Sequence, residues 1–245
     1  MMKTMPLLNR AASKKQIPMS KMMTLTAGLL LLTAPSIWAQ DHDPEREQTI
    51  ARIAKLGGKV EVDDKSPDKL VIKVDLRRTT VTDADLEILK GLTQLRTLYL
   101  SGTGFTDAGL KHLKALTQLQ YVNIGHTEIG DAGLEQLKGL TKLQTLVLDD
   151  TKVTEAGLKQ LRGLTNLHYL NLCLCTKVTD GGLEYLKGLT ELQKLDLNAT
   201  QVTDADLRQL HGLTQLQVLD LGDTKVTEAG VQELRKALPK ARINH

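Results

Sequence analysis

The chain has 245 residues, of which 41% are hydrophobic and 25% charged, a balance typical of a globular protein with one domain or two small ones. Leucine supplies 47 residues, whereas Phe, Trp and Tyr together supply six. Five basic residues and no acidic ones precede residue 40, so residues 40–245 hold 27 Lys and Arg against 29 Asp and Glu. Without an excess of positive charge this part lacks a phosphate-binding surface, and no nucleic-acid partner is expected.

Residues 1–39 have the pattern of a secretory signal peptide. Lys21 precedes an uncharged apolar run over residues 22–34, and polar residues begin at Gln40. The run is shorter than the about 20 apolar residues that span a membrane, so we expect cleavage after Ala39 and no stable membrane insertion afterwards. The mature protein is therefore predicted to be secreted or to stay in the periplasm or cell envelope.

Residues 40–69 are predicted to form an N-terminal cap made of a helix and a strand. Asp43 before Pro44 is typical of a helix start, and Gly57 marks its end. Residues 59–62 alternate between apolar and polar side chains, as a strand does. A stacked array needs such a cap because its first unit would otherwise expose an apolar face.

Residues 70–245 contain seven units that recur every 24 residues, with one step of 25 within residues 173–177. In one unit Leu95, Leu98 and Leu100 have the spacing of a strand, whereas the leucines after residue 109 recur every three residues, as on a helix. One unit cannot cover its own apolar face, so the units are predicted to stack into a solenoid with a degenerate C-terminal cap.

Each unit resembles the leucine-rich repeat, and the Thr-Asp-x-Gly-Leu half that begins at Thr106 is similar to the cysteine-containing subclass of F-box-associated substrate receptors and bacterial proteins. The resemblance implies an α/β fold, a curved solenoid with parallel strands on its concave face and short helices on its convex face. Threonine replaces the usual Asn or Cys of the family at one position per unit, and we expect these hydroxyls to bond the neighbouring backbone. The position is held by Thr79, Thr103, Thr127, Thr151, Thr176, Thr200 and Thr224.

The helix ends are predicted from residues that recur with the period. Thr106 and its equivalents can accept from the first helical amides, and the acidic residue after each faces the helix dipole favourably. A glycine follows most helices and is expected to turn left-handed, namely Gly91, Gly139, Gly163, Gly188 and Gly212. Ala115 holds this position in one unit, where mild strain is expected.

No arrangement of residues predicts catalysis, a metal or a cofactor. The acidic residues at the helix starts recur with the period and are therefore interpreted as structural. His126 and His168 belong to units two apart, about 10 Å from each other, which is too far to share one ion. Cys173 and Cys175 coincide with the extra residue and are interpreted as packing residues, with a labile disulfide as the less favoured alternative.

Residues between the strand leucines are predicted to face the concave side, which repeat proteins generally use for binding. Three of the four tyrosines fall there, and tyrosine is a favoured interface anchor. Basic residues lie toward one end of this surface and acidic residues toward the other. The predicted partner-binding residues are Tyr99, Tyr121, Tyr169, Asn123, Asn171, Asp149, Asp196, Asp220, Lys73 and Arg77.

The function predicted from these observations is a non-enzymatic, exported module that binds a protein or peptide on its concave sheet. One alternative is a substrate-recognition component resembling F-box receptors of ubiquitin-ligase complexes, which the signal peptide and the missing F-box segment disfavour. Another alternative is a structural cell-envelope protein.

Overall fold

The computed structural model describes residues 43–245, and the predicted signal peptide lies outside this range. The nine strands are β1 Lys59–Val62, β2 Val71–Asp75, β3 Thr97–Tyr99, β4 Tyr121–Asn123, β5 Thr145–Val147, β6 Tyr169–Asn171, β7 Lys194–Asp196, β8 Val218–Asp220 and β9 Arg242–Asn244. The α-helices are α1 Pro44–Lys55, α2 Asp131–Leu137, α3 Glu155–Leu158, α4 Asp204–Leu207 and α5 Glu228–Ala237. The 3-10 helices are Asp85–Leu89, Gly109–Leu113, Lys159–Gly163, Asp180–Leu186 and Arg208–Leu210.

The strands form one sheet in chain order. β1 is antiparallel to β2, and every later strand is parallel to the one before it. Lys73 pairs with Thr97, 24 residues away, whereas Tyr169 pairs with Lys194, 25 residues away. The predicted α/β solenoid is confirmed, and each unit contributes one strand and one helical segment. No helix within residues 43–245 is long and apolar enough to cross a membrane.

The core is a continuous column of aliphatic side chains between the sheet and the helices. Leu98 of β3 and Leu110 of the helical side are fully buried, as are their equivalents in the following units. Phe105, the one phenylalanine of the chain, is also fully buried. Burying one such side chain contributes about 1.5–3 kcal/mol, and each unit obtains this burial only from its neighbours.

Carboxylates at the helix starts link each unit to the next. Asp83 accepts from the backbone N–H of Thr106 at 2.7 Å and from its hydroxyl at 2.8 Å. Asp131 makes the same two bonds to Thr154, at 2.8 and 2.7 Å. The predicted structural role of these acids therefore includes contacts between units, beyond the favourable position at the helix dipole. The same threonines act as the predicted N-caps, since Thr154 accepts from the N–H of Ala156 at 3.1 Å.

The threonine position behaves as predicted in six units and differs in one. Thr103 donates its hydroxyl to the carbonyl of Leu100 at 2.7 Å, and Thr79, Thr127, Thr151, Thr200 and Thr224 make the equivalent bond three residues back. The prediction for Thr176 is wrong, because that residue is exposed and buried Cys175 occupies the equivalent place. The Cys175 thiol donates to the carbonyl of Leu148 at 3.1 Å. The extra residue therefore follows Cys175.

The left-handed backbone occurs at a different position from the one predicted. None of the five glycines after the helices has a positive φ, and neither does Ala115, so no strain arises there. The left-handed residue instead follows each strand, where the chain turns off the sheet. It is Arg78, Gly102, His126, Asp150, Leu174, Ala199 or Asp223, with φ between 51° and 66°. Six of these seven residues are not glycine, which is why the sequence gives no local signal for this turn.

This correction predicts opposite effects for two alanine-to-glycine substitutions. Ala199 has a φ of 55°, where a Cβ is unfavourable, so Ala199→Gly should raise the free energy of unfolding by up to about 1 kcal/mol. Ala115 has no such constraint, so Ala115→Gly should lower it by about 0.4–1 kcal/mol through the added freedom of the unfolded chain. Urea unfolding of both variants measures the difference. A larger gain from Ala115→Gly would contradict the assignment of the left-handed position.

Candidate binding surface

The parallel register aligns equivalent concave side chains into rows across the strands. One row contains Lys73, Thr97, Tyr121, Thr145, Tyr169, Lys194 and Val218. The next row contains Asp75, Tyr99, Asn123, Val147, Asn171, Asp196 and Asp220. Two residues beyond the second row lie Arg77, Ser101, Gly125, Asp149, Cys173, Asn198 and Gly222. We call these three rows the concave strip.

Two of the predicted tyrosines are in contact and the third is separate. The ring centroids of Tyr99 and Tyr121 are 4.8 Å apart with an interplanar angle of 43°, a tilted arrangement favourable for aromatic pairs. Both rings are half-buried, and burial raises the pKa of the Tyr121 hydroxyl. Tyr169 lies in the same row as Tyr121 but two strands away, with Thr145 of β5 between them.

Basic side chains lie over the tyrosine rings. The guanidinium carbon of Arg77 is 4.6 Å from the centroid of Tyr99, and the ammonium group of Lys73 is 6.0 Å from it. The ammonium group of Lys194 lies 4.9 Å from the centroid of Tyr169. A cation over an aromatic face is attracted by the ring quadrupole, so these contacts favour the observed orientations of Tyr99 and Tyr169.

The basic end of the concave strip is largely neutralised by ion pairs. Lys73 pairs with Glu61 of β1 at 3.1 Å, and Arg77 pairs with Asp75 at 2.5 Å. The hydrogen bond from the Arg77 side chain, acting against partial burial, lowers the pKa of Asp75. The predicted gradient of charge is therefore weaker than the sequence indicates, because both Lys73 and Arg77 have carboxylate partners.

At the acidic end Asp196 and Asp220 form no ion pair among residues 43–245, whereas Asp149 lies beside His126. Burial raises the pKa of Asp196, and the nearby carboxylates of Asp220 and Asp149 raise it further. Lys194 opposes this effect from the same strand, and the Asp196 carboxylate also accepts from the N–H of Asn198 at 3.0 Å. Asp220 accepts from the side-chain amide of Asn244 on β9. This end of the strip therefore favours positively charged groups.

Several of the predicted site residues also shape the backbone. Asn123 accepts from the N–H of Gly125 at 3.1 Å, and Asn171 accepts from that of Cys173 at 2.8 Å. Asp75 makes the equivalent bond to the N–H of Arg77 at 3.1 Å. A short polar side chain that bonds the backbone two residues later is a turn-forming arrangement. Asn and Asp at the strand ends therefore have a structural role that sequence analysis of the strip missed.

His126 is a further residue of this surface that sequence analysis did not select. Its Nε2 lies 2.8 Å from the Asp149 carboxylate, and its Nδ1 lies 3.0 Å from that of Asp150. Gly125 allows this approach, because a Cβ there would lie 2.1 Å from Oδ1 of Asp149. The available signal was a histidine placed one period before adjacent aspartates. The contact joins the loops that follow β4 and β5 at the edge of the concave strip.

The sequence matches the model of a family described as a leucine-rich repeat region over residues 75–242. The chain belongs to the leucine-rich repeat family. The membership accounts for the strand-and-helix units and their parallel stacking. The assignment to the cysteine-containing subclass stays a prediction.

Solved structures show the same fold for this leucine-rich repeat protein. It resembles the crystal structure of internalin C2 from Listeria monocytogenes at 24% identity, over 84% of each chain, with a TM-score of 0.59. It also resembles the internalin inlF from the same organism at 22% identity, with a TM-score of 0.53, over 75% of this chain and 57% of that one. At these identities the likeness concerns the fold alone. No curated protein compared with the chain matches it.

The two cysteines of the leucine-rich repeat region are free thiols. Burial raises the pKa of Cys173 to about 11, and the carboxylates of Asp196 and Asp149 contribute. Burial also raises the pKa of Cys175. A thiol with a raised pKa stays protonated at neutral pH and is a poor nucleophile. Among residues 43–245, no three His, Cys, Asp or Glu side chains are grouped so that they could hold a metal ion.

The raised pKa of Asp196 predicts a pH-dependent cost to the leucine-rich repeat fold. The pKa of Asp196 is higher in the folded state than its ordinary value of 3.8 in the unfolded chain. Protonated Asp196 therefore favours the folded state, and this contribution to stability is lost as the pH rises through the folded-state pKa. Asp196→Asn keeps the oxygen that accepts from Asn198 and removes the charge. The variant should unfold at higher urea than the parent at pH 7, and the difference should disappear near pH 3. A difference that grows on acidification would contradict the assignment.

Proposed function

We propose that this leucine-rich repeat protein is an exported, non-enzymatic module that binds a protein or peptide on the concave strip. The observation that carries the proposal is the contact pair of Tyr99 and Tyr121, half-exposed on adjacent strands, with the Arg77 guanidinium over the Tyr99 ring. Tyrosine and arginine are the residues most enriched among those that dominate binding energy at protein interfaces.

The arrangement of the tyrosines supports the same proposal. They project from paired parallel strands, and cations contact the rings of Tyr99 and Tyr169. A side chain that is already ordered loses less conformational entropy when a partner binds. The open row of side chains across β3 to β8 offers an extended surface, which suits a peptide or a protein loop better than a small molecule.

The other parts of the proposal rest on different observations. Export rests on the signal-like pattern of residues 1–39. The non-enzymatic character is supported by the protonated thiols and by acidic residues that bond the backbone of neighbouring units. The acidic residues Asp149, Asp196 and Asp220 favour a partner with basic groups at that end of the strip.

We expect the concave tyrosines to be required for capture of a partner from the envelope fraction and culture medium of the source cells. Replacing Tyr99, Tyr121 and Tyr169 together with Ala removes the proposed anchors, and each change should weaken binding because less apolar area is buried. Affinity capture with the tagged full-length chain, followed by mass spectrometry, measures the loss of the bound protein.

Tyr185→Ala provides the matched control. Tyr185 is also half-buried, but it lies on the helical side under the guanidinium of Arg162, 4.3 Å from its ring centroid. The control variant should retain the partner at the parental level. Equal retention by the triple variant and the parent, or loss only in Tyr185→Ala, would show that the concave strip is not the binding surface.

A further inference from the structure

A groove of about 780 Å³ lies where the turn after α1 approaches the C-terminal ends of β2, β3 and β4. It adjoins the Tyr99 and Tyr121 pair at the N-terminal end of the concave strip. Its charged and polar lining includes Lys59, Asp75, Arg77, Arg78, Ser101 and Asn123. These residues come from β1 and three successive units, so the groove exists only in the stacked array.

The groove carries an excess of positive charge. Three cations face one carboxylate, and Asp75 already accepts from Nε of Arg77 at 2.9 Å and from its terminal nitrogen at 2.5 Å. Arg78 and Lys59 form no ion pair within the described part of the chain. His126 also lines the groove, but its two ring nitrogens lie against the carboxylates of Asp149 and Asp150.

Backbone contacts place Arg78 at the groove. It is the left-handed residue after β2, with a φ of 56°, and its N–H donates to the carbonyl of Ser101 at 3.0 Å. The next unit has Gly102 at the equivalent place, where a Cβ would lie 3.5 Å from Cγ of Arg78. The backbone of Arg78 is therefore fixed, and its side chain is exposed.

The uncharged neighbours add donors to the groove. Asn123 uses its carbonyl oxygen to accept from the N–H of Gly125. Its amide NH2 is a donor with two hydrogens, one of which reaches the Tyr121 hydroxyl. The Ser101 hydroxyl, half-buried in the same groove, can also donate. A positive groove with several donors recognises an anion.

We infer that this groove is a subsite for a carboxylate side chain of an acidic peptide segment, bound by Arg78 and Lys59 beside the Tyr99 ring. The inference rests on the proposed function and adds the chemistry of the partner at this end of the strip. The anion is taken to be a carboxylate because the proposed partner is a protein or peptide, whose Asp and Glu side chains supply that group.

Binding of fluorescein-labelled hexaglutamate to the full-length chain, followed by fluorescence anisotropy at low salt, tests the subsite. Arg78→Glu and Lys59→Glu should each weaken hexaglutamate binding on the order of tenfold, because each reverses a charge at the site. Lys114→Glu makes the same change of charge beyond the helical segment Gly109–Leu113, and it should leave binding within about twofold of the parent.

Three results would overturn the subsite: no binding of hexaglutamate, an equal loss in Lys114→Glu, or complete displacement by pyrophosphate at a concentration where free glutamate has no effect.

Capture experiments separate this inference from the proposed function. Partner capture that needs the tyrosines but persists in Arg78→Glu would reject the subsite and leave the concave strip as the binding surface. Capture that is independent of the tyrosines would reject the strip itself.

Discussion

The structure depends on contact between neighbouring units, because no unit can bury its own leucines. On the helical side, hydrogen bonds between units strengthen that contact: Asp131 accepts from the backbone and the hydroxyl of Thr154 one unit later. Buried threonines such as Thr151 bond within their own unit, to the carbonyl of the residue that follows the strand. Both kinds of bond satisfy polar groups at the edges of an aliphatic core, where an unpaired group would cost about 1–3 kcal/mol. Pairing between the strands sets the parallel register, in which each residue pairs with its equivalent in the next unit.

The register in turn creates the concave strip, the proposed binding surface. Equivalent concave positions form straight rows, and their side chains lie outside the leucine core, although that of Val147 is buried. The rows can therefore differ in chemistry from unit to unit without a cost in packing. In this chain they bring Tyr99 against Tyr121, place cations over the rings, and leave unbalanced carboxylates only toward the C-terminal end. The residue type is constrained at the end of each strand, where an Asn or Asp side chain accepts from a backbone N–H of the following turn.

Much of the fold and of the concave strip could be predicted from the sequence, because with a period of 24 residues each structural position occurs seven times. The α/β solenoid, the threonine caps and the rows of the strip follow from that periodicity alone. The left-handed turn could not be predicted, since residues such as Arg78 and Ala199 are not typical of it and only the path of the chain requires it. Cys175 was missed for a similar reason: the spacing shows that a residue is inserted but not on which side of the thiol. The pairing of Lys73 with Glu61 depends on an antiparallel strand outside the repeat, so the period carries no information about it.

Hydroxyl-radical footprinting of the tyrosines, with and without the captured partner, tests most directly the claim that the concave strip is the binding surface. All four tyrosines are half-buried in the free chain, so each has a measurable rate of oxidation. The account predicts that the partner slows oxidation of Tyr99, Tyr121 and Tyr169 and leaves Tyr185 unchanged. Slower oxidation of Tyr185 with no change at the other three would place the partner on the helical side and contradict the account.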